Sequence, residues 1–82
     1  MDLVALTESI VLSLVSDKES VKVKQLSEDD NTDIVIQVLV SEIDMGKLIG
    51  KGGKTANAIR TIVQASSYLK DNKRININID HF

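Results

Sequence analysis

The chemistry that this sequence can support is concentrated in residues 45–62, which read MGKLIGKGGKTANAIRTI. All four glycines of the chain lie there, and three of them stand between the apolar pair Leu48 and Ile49 and a helical pattern that begins near Lys54. Glycine permits positive φ and a close approach of the backbone to a ligand, and N–H groups ahead of a helix favour an anion. Because lysines surround the glycines, this stretch predicts a phosphate-binding loop.

The same stretch resembles a known family. Residues 49–60 contain the run Ile-Gly-Lys-Gly-Gly-Lys-x-x-x-x-Ile-Arg, which resembles the signature of a KH domain, an RNA-binding module. Residues 50–53 correspond to its GXXG loop, and residues 58–62 look most similar to the small, stand-alone bacterial KH proteins of the KhpA family. The resemblance extends over the whole chain in the order of its elements, and it is specific in this run.

The resemblance implies a protein without catalytic activity that binds single-stranded RNA and acts as an RNA chaperone or post-transcriptional regulator. In KH domains the GXXG loop holds the sugar–phosphate backbone of about four nucleotides, and the bases lie in a shallow groove between the loop and the sheet edge. The residues implied here are the loop, the basic residues that flank the RNA, one apolar residue in the groove floor and two basic residues at its far wall. They are Lys47, Ile49, Gly50, Lys51, Gly52, Gly53, Lys54, Arg60, Lys73 and Arg74.

Two other interpretations compete for this loop. Ile49 and the glycines can form a tight corner between two helices, although the three surrounding lysines argue against so simple a role. The Gly-Lys-Thr at residues 53–55 also matches the end of a nucleotide-binding P-loop. That pattern needs glycine where this chain has Leu48, and its sheet needs more parallel strands than this chain supplies.

Nothing else in the sequence predicts catalysis or a bound metal. His81 is the only histidine, it lies next to the last residue, and no base accompanies a serine or threonine nucleophile. The acidic residues within 28–33 lack the spacing and the glycine of a calcium loop. We therefore predict no enzyme activity, no cofactor and no metal site.

Length and composition favour one small domain over residues 1–82. The chain has no cysteine and no apolar run near the roughly 18 residues of a membrane span, which predicts a cytoplasmic protein outside the membrane. Its net charge is −2, but the charge is unevenly distributed. Residues 1–46 contain ten acidic residues and three lysines, which gives a charge of −7. Residues 47–74 contain seven basic residues and one acidic residue, which gives a charge of +6. A polyanion is therefore attracted to one part of the molecule and repelled by the other.

The elements that must position the loop follow from hydrophobic periodicity. A hairpin through residues 27–32 joins two strands, and Asp44 is a candidate cap for a helical turn that ends at Gly50. A helical crossover then makes the second and third strands parallel. The predicted fold is α+β, with a three-stranded mixed sheet and helices packed on one face, and the resemblance implies a type II KH domain of order α-β-β-α-α-β. The elements are helix 2–16, strand 21–26, strand 34–40, turn 45–49, helix 54–69 and strand 74–80.

Helix 54–69 carries more apolar surface than one sheet face requires. Its main apolar stripe is Ala58, Ile62, Ala65 and Leu69. We predict a homodimer through this helix and the adjoining turn, with Ala56, Ile59 and Val63 at the interface. The alternative function is a protein-interaction module in which RNA binding is secondary. The resemblance further implies pairing with a larger, multidomain KH protein and a link to cell elongation and division.

Overall fold

The computed structural model describes residues 2–26, 33–70 and 72–82, and it confirms the predicted element order α-β-β-α-α-β. Two short 3-10 turns accompany these elements, Lys18–Ser20 after the first helix and Lys51–Gly53 before the third. The hairpin loop predicted at 27–32 lies outside the described residues. The elements are α1 (Leu3–Leu14), β1 (Lys22–Gln25), β2 (Ile34–Val40), α2 (Glu42–Ile49), α3 (Lys54–Lys70) and β3 (Ile75–His81).

The sheet has the strand order β1-β2-β3, so β2, the most apolar strand, is central. β1 runs antiparallel to β2, with Val23 opposite Val38. β3 runs parallel to β2, with Ile36 opposite Ile77, as the crossover through α2 and α3 requires. One side of β3 is therefore a sheet edge, and this edge runs alongside the helix that follows the glycine loop.

The core lies between one face of the sheet and the three helices, which confirms the predicted packing. Along β3 the isoleucines point to the core while Asn76 and Asn78 are exposed, because side chains alternate along a strand. No helix within the described ranges is long and apolar enough to span a membrane. The buried apolar residues include Val11, Ile34, Ile36, Val38, Val40, Leu48, Ile59, Val63, Ile75 and Ile77.

α1 packs on a slightly different side from the one that its apolar pattern predicts. Asp2 caps it by accepting the N–H of Val4 at 2.9 Å. Thr7 is fully buried because its hydroxyl donates to the Leu3 carbonyl at 2.8 Å, which satisfies the polar group inside the core. Leu14, whose helical spacing from Leu3 and Val11 predicts a buried position, is exposed, and Val15 takes the inward position at the end of the helix.

α3 turns its predicted main stripe toward solvent. Apolar residues cover so much of its circumference that periodicity alone does not determine which side faces the sheet. Ser67, a polar residue that the sequence pattern predicts on the exposed side of the helix, is buried because its hydroxyl donates to the Lys73 carbonyl at 2.7 Å. The side against the sheet carries Ala56, Ile59, Val63 and Ser67. The exposed side, called here the outer face of α3, carries Ala58, Ile62, Ala65 and Leu69.

α2 begins earlier than predicted, and its cap is a different residue. The helix runs from Glu42 rather than from Met45, and Ser41 is its N-cap. The Ser41 hydroxyl oxygen accepts the N–H of Asp44 at 3.3 Å. Asp44, predicted as the cap, lies in the first turn and is buried, which frees its carboxylate for a contact outside the helix.

Candidate nucleic-acid interface

The glycine-rich segment forms a tight link between α2 and α3. Gly50 ends α2 at φ 70° and ψ 178°, and its N–H donates to the Gly46 carbonyl at 3.0 Å. The next three residues make a 3-10 turn in which the Gly53 N–H donates to the Gly50 carbonyl at 3.3 Å. Within this turn Gly52 has φ 65° and ψ 20°. The predicted loop residues therefore lie together at the start of α3.

Position 50 accepts only glycine. A Cβ atom there would lie 2.4 Å from the hydroxyl oxygen of Thr55 and 3.1 Å from its backbone nitrogen. The combination of positive φ and extended ψ is also one that residues with a Cβ essentially never adopt. A Cβ at Gly52, by contrast, would meet nothing within 4 Å. Gly50 thus sets the shape of the loop, and Gly52 leaves its surface open to a ligand.

The loop presents backbone donors to solvent. Within the described part of the chain, no backbone carbonyl accepts the N–H groups of Lys51 and Gly52, and both residues are exposed. They lie immediately before α3, a helix of 17 residues whose N-terminus carries a partial positive charge. Donors placed in this way are suited to a phosphate oxygen.

The three lysines near the loop differ in their surroundings. Lys51 and Lys54 are exposed, and neither forms an ion pair within the described residues. The Lys47 ammonium lies 3.6 Å from Oδ1 of Asp44 and donates to the hydroxyl of Ser16. The positive charge beside the glycines therefore comes from Lys51 and Lys54, and an RNA contact by Lys47 stays a prediction.

Asp44 anchors the helix that leads into the loop, a role that the sequence reasoning missed. Its carboxylate accepts the backbone N–H of Ser16 at 3.0 Å, that of Asp17 at 2.9 Å and the hydroxyl of Ser41 at 3.1 Å. The hydrogen bonds from Ser16 and then Asp17 lower the pKa of Asp44 from 3.8 to about 2. Partners up to 28 residues away leave no local pattern, so the sequence carried no signal for this contact.

We expect Asp44→Asn to lower the melting temperature at neutral pH, because the amide places an NH₂ donor where backbone N–H groups need an acceptor. The pKa of Asp44 is depressed in the folded state, so the stabilisation is present above the unfolded value and lost as the pH falls through about 4 to about 2. The melting temperatures of the wild type and of Asp44→Asn, measured by circular dichroism, should therefore differ at pH 7 and become nearly equal near pH 2. Glu42→Gln, an exposed change on the same helix, is the control, and a gap that persists unchanged at pH 2 would contradict this account.

Arg60 lies on the side of α3 that faces the edge of β3. Its guanidinium donates to the Ile77 carbonyl at 3.4 Å and to the side-chain oxygen of Asn57 at 3.3 Å. This places a positive charge in the groove between α3 and the sheet edge. Ile49, the last residue of α2, is 36% exposed beside the loop, so part of its side chain is available at the surface where the groove floor was predicted.

Lys73 and Arg74 lie at the opposite end of α3 from the loop. The Lys73 carbonyl accepts a hydrogen bond from the Gln64 side-chain amide at 2.9 Å. The Arg74 carbonyl accepts one from the backbone N–H of Ile34, also at 2.9 Å. At 1.5 Å per residue the 17 residues of α3 span about 25 Å. The structure therefore places Arg60 against β3 within two turns of the loop, and Lys73 beside the C-terminal half of α3.

The residues predicted at a dimer interface lie inside the monomer. Ala56, Ile59 and Val63 are 3%, 2% and 0% exposed because they face the sheet. A second copy reaches them only if the core opens, so this assignment is corrected. The exposed apolar surface of α3 is its outer face, on which Ile62 is 50% and Leu69 90% exposed.

The geometry also bears on the alternatives for the loop. A P-loop follows its strand directly, whereas α2 separates β2 from the glycines here. Across the ranges that the structure describes, no three His, Cys, Asp or Glu side chains stand close enough to hold a metal ion, and residues 28–32 lie outside those ranges. The site offers backbone N–H donors and lysine charge, which suit a phosphate.

Comparison with known proteins finds relatives over nearly the whole chain. A family model described as KhpA/KhpB, KH domain, matches residues 5–79. A protein of Clostridium perfringens named RNA-binding protein KhpA is 42% identical over 74 residues, which cover 90% of this chain and 95% of the relative. A protein of the same name from Oceanobacillus iheyensis is 44% identical over 75 residues, covering 92% and 96% of the two chains. One from Borreliella burgdorferi is 37% identical over 76 residues, covering 93% and 89%.

Proposed function

The chain belongs to the KhpA/KhpB family of KH domains, and we propose that it binds single-stranded RNA through its GXXG loop, residues 50–53. The observation that carries the proposal is the exposed backbone of this loop, where the N–H groups of Lys51 and Gly52 have no backbone acceptor within the described residues. Without a side chain at Gly52, a phosphate can approach these donors to hydrogen-bonding distance. The relatives support the proposal because they are named as RNA-binding proteins.

The family is one of KH-domain proteins and not of enzymes, so the role rests on binding rather than on catalysis. A protein that holds a short single strand by its backbone keeps that segment unpaired without changing it chemically. This suits an RNA chaperone or a post-transcriptional regulator, in a process such as cell elongation or division. Lys51, Lys54 and Arg60 supply the charge along the strand, and Ile49 contributes apolar floor.

We expect weak and salt-dependent RNA binding, because few cations lie at the loop. With about three phosphate contacts, the logarithm of the affinity should fall with the logarithm of the salt concentration with a slope of about −2, which is about twentyfold between 50 and 200 mM salt. Fluorescence anisotropy with a short labelled RNA measures this. A duplex of the same sequence should bind more weakly, since the groove takes unpaired bases.

Two lysine variants provide the matched comparison for this titration. Lys54→Gln removes a charge beside the loop and should reduce the magnitude of the slope of log affinity against log salt concentration by about 0.7. Lys24→Gln removes the same charge from an exposed position on β1, at the opposite edge of the sheet, and should leave it unchanged. Equal effects of the two variants, or an affinity that does not respond to salt, would place the RNA elsewhere.

The outer face of α3 supports a second function, self-association. We propose that the chain forms a homodimer in which this face packs against the same face of a second copy. Its residues recur at helical spacing along nearly the whole of α3, and a stripe of exposed apolar side chains on a small protein marks an interaction surface. A larger protein with its own KH domain is the alternative occupant of the same face.

We expect light scattering to show a dimer at tens of micromolar and Ile62→Glu with Leu69→Glu to convert it to a monomer, because two buried carboxylates on each copy would oppose association. Ile43→Glu, at an exposed apolar position on α2, is the control that should leave the dimer intact. A substitution at Val63 does not test this interface, because Val63 is fully buried in the core. A wild-type monomer at this concentration would refute the homodimer and leave the heteromeric partner.

A further inference from the structure

The outer face of α3 has an order of side-chain sizes that favours one way of packing against itself. Its residues Ala58, Ile62, Ala65 and Leu69 alternate small and large, at spacings of four, three and four residues. These spacings read the same in both directions, so two antiparallel copies align Ile62 with Ala65 of the second copy, and Leu69 with its Ala58. Each large side chain then lies over a small one, as close packing between helices requires.

Parallel packing of the same two faces fits less well. A two-fold axis along the helices places each residue opposite itself, so Ile62 meets Ile62 and Leu69 meets Leu69, while a gap remains at Ala58. It also brings together the two helix N-termini, with Lys51 and Lys54 of each copy, where positive charges repel. Antiparallel packing separates these ends by the length of α3. The side-chain sizes and the charges therefore both favour an antiparallel dimer.

The two flanks of α3 have different neighbours. On one flank, here called the β3 flank, Gln64 and Tyr68 line a cavity together with Ile75 of β3. On the other, called the α1 flank, Ser66 lines a cavity together with Leu6 of α1. The outer face lies between the two flanks, because one of its residues borders each cavity. The proposed RNA groove between α3 and the edge of β3 therefore lies on one defined side of the outer face.

The symmetry of an antiparallel dimer brings the two grooves together. Its two-fold axis is perpendicular to the plane of the helix pair, so each flank stays on its own side of the pair. The two β3 flanks therefore lie on one side of the dimer and the two α1 flanks on the other. The axes of packed helices are about 8–10 Å apart, and the pair is about 20 Å wide. Both RNA grooves consequently open on the same surface, one beside the other.

The same axis fixes the relative direction of two bound strands. Each groove holds RNA with one polarity relative to α3, because the GXXG loop lies only at the N-terminal end of this helix. The two-fold axis reverses α3 and reverses the strand with it. Two strands on one dimer thus run antiparallel, whichever polarity a single groove selects, and this is the relative direction that complementary strands need to form a duplex.

We propose that the dimer promotes the annealing of complementary RNA strands by holding one strand in each of two adjacent, antiparallel grooves. The inference rests on the proposed function, since the GXXG loops hold the strands and the outer faces of α3 join the copies. Each loop holds about four nucleotides, so the rest of each strand is free to pair. Two strands on one dimer meet at an effective concentration on the order of millimolar, far above that of dilute strands in solution.

Cysteine cross-linking tests the antiparallel packing. The chain has no cysteine, so introduced thiols are the only ones present. Oxidation of a mixture of the single variants Ala58→Cys and Leu69→Cys should link one to the other, since facing Cα atoms lie within the roughly 7 Å that a disulfide spans. Neither variant should cross-link with itself, because about 16 Å along the helix axis separates position 58 of one copy from position 58 of the other. Self-linked products, or no mixed product, would overturn the antiparallel packing and the annealing with it.

Annealing is measured with two complementary RNAs of about 20 nucleotides, far longer than one loop holds, labelled with a donor and an acceptor fluorophore. The wild type should increase the annealing rate at least about tenfold over RNA alone. Ile62→Glu with Leu69→Glu should bind each strand within about twofold of the wild type, since the loop is intact, yet anneal within about twofold of RNA alone. Leu14→Glu with Leu26→Glu adds the same two carboxylates at exposed positions outside α3 and should anneal as the wild type does.

The outcomes separate this inference from the proposals on which it rests. A wild-type dimer that binds both strands without accelerating their annealing would refute the annealing role and leave the proposed function standing. Equal acceleration by Ile62→Glu with Leu69→Glu would show that paired grooves are not needed, which also refutes it. If the wild-type protein binds neither strand, the proposed function fails and this inference with it.

Discussion

The double variant Lys51→Asp with Gly52→Asp is expected to bind single-stranded RNA at least about tenfold more weakly than the wild type while keeping its fold, a loss of roughly 1.4 kcal/mol of binding free energy. The exposed Lys51 charge is replaced by a carboxylate, a second carboxylate covers the backbone at Gly52, and both repel phosphate. The fold should persist because a Cβ at Gly52 meets no atom within 4 Å. Aspartate is also among the residues that best tolerate the left-handed conformation found there.

The matched control for this variant is Lys22→Thr with Lys24→Glu. It changes the net charge by the same amount at exposed positions of β1, on the sheet edge away from β3. Anisotropy with a short labelled RNA compares the affinities, and circular dichroism with thermal melts verifies that each protein is folded. If the folded loop variant binds RNA as tightly as the wild type, the loop is not the site. The protein-interaction module then becomes the leading interpretation.

Gly50→Ala should destabilise the protein by about 2–4 kcal/mol, the sum of a strained backbone conformation and an overpacked contact. The added Cβ would stand 2.4 Å from the hydroxyl oxygen of Thr55 and 3.1 Å from the Thr55 backbone nitrogen, and the backbone atom cannot rotate away. In a domain of this size such a loss lowers the melting temperature by roughly 10–25 °C. It also removes a large part of a total stability of about 4–12 kcal/mol.

Gly46→Ala makes the same chemical change four residues earlier and should have the opposite effect. Gly46 lies inside α2, and a Cβ there meets nothing within 4 Å. Alanine in a helix interior is more stable than glycine by about 0.5–1 kcal/mol, so the melting temperature should rise slightly. Denaturant unfolding of the two variants checks both signs. Equal stability of Gly50→Ala and the wild type would show that the loop relaxes without cost.

The element order and the loop could be predicted from the sequence because both depend on local patterns. The clean alternation of isoleucine and asparagine before Asp80 is sufficient to predict β3 and its buried face. The run of β-branched residues at 34–40 predicts a central strand, and the structure confirms its place between β1 and β3. The glycine cluster between an apolar pair and a helix is equally local, and its resemblance to KH domains led to the family that the comparisons confirm.

Residues whose role depends on a distant partner could not be predicted from the sequence. The local sequence predicts Asp44 as a helix cap, but its carboxylate is held by backbone N–H groups that follow α1. The pattern of α3 predicts Ser67 as exposed, but the carbonyl of Lys73 accepts its hydroxyl and allows it to be buried. In both cases the deciding hydrogen bond forms only after helices and strands have packed, so residue type and spacing do not reveal it.

The sequence by itself thus determined which segments are helices and strands and where the glycine loop lies, because hydrophobic periodicity and glycine act over a few residues. Only the tertiary structure decided which side of α3 faces the sheet, and with it which residues a partner can reach. Ala56, Ile59 and Val63 are buried while Ile62 and Leu69 are exposed, although all five are apolar residues of one helix. Which side is buried depends on how the side chains of α3 pack against the sheet and the other helices. The local sequence pattern of α3 contains no information about those contacts.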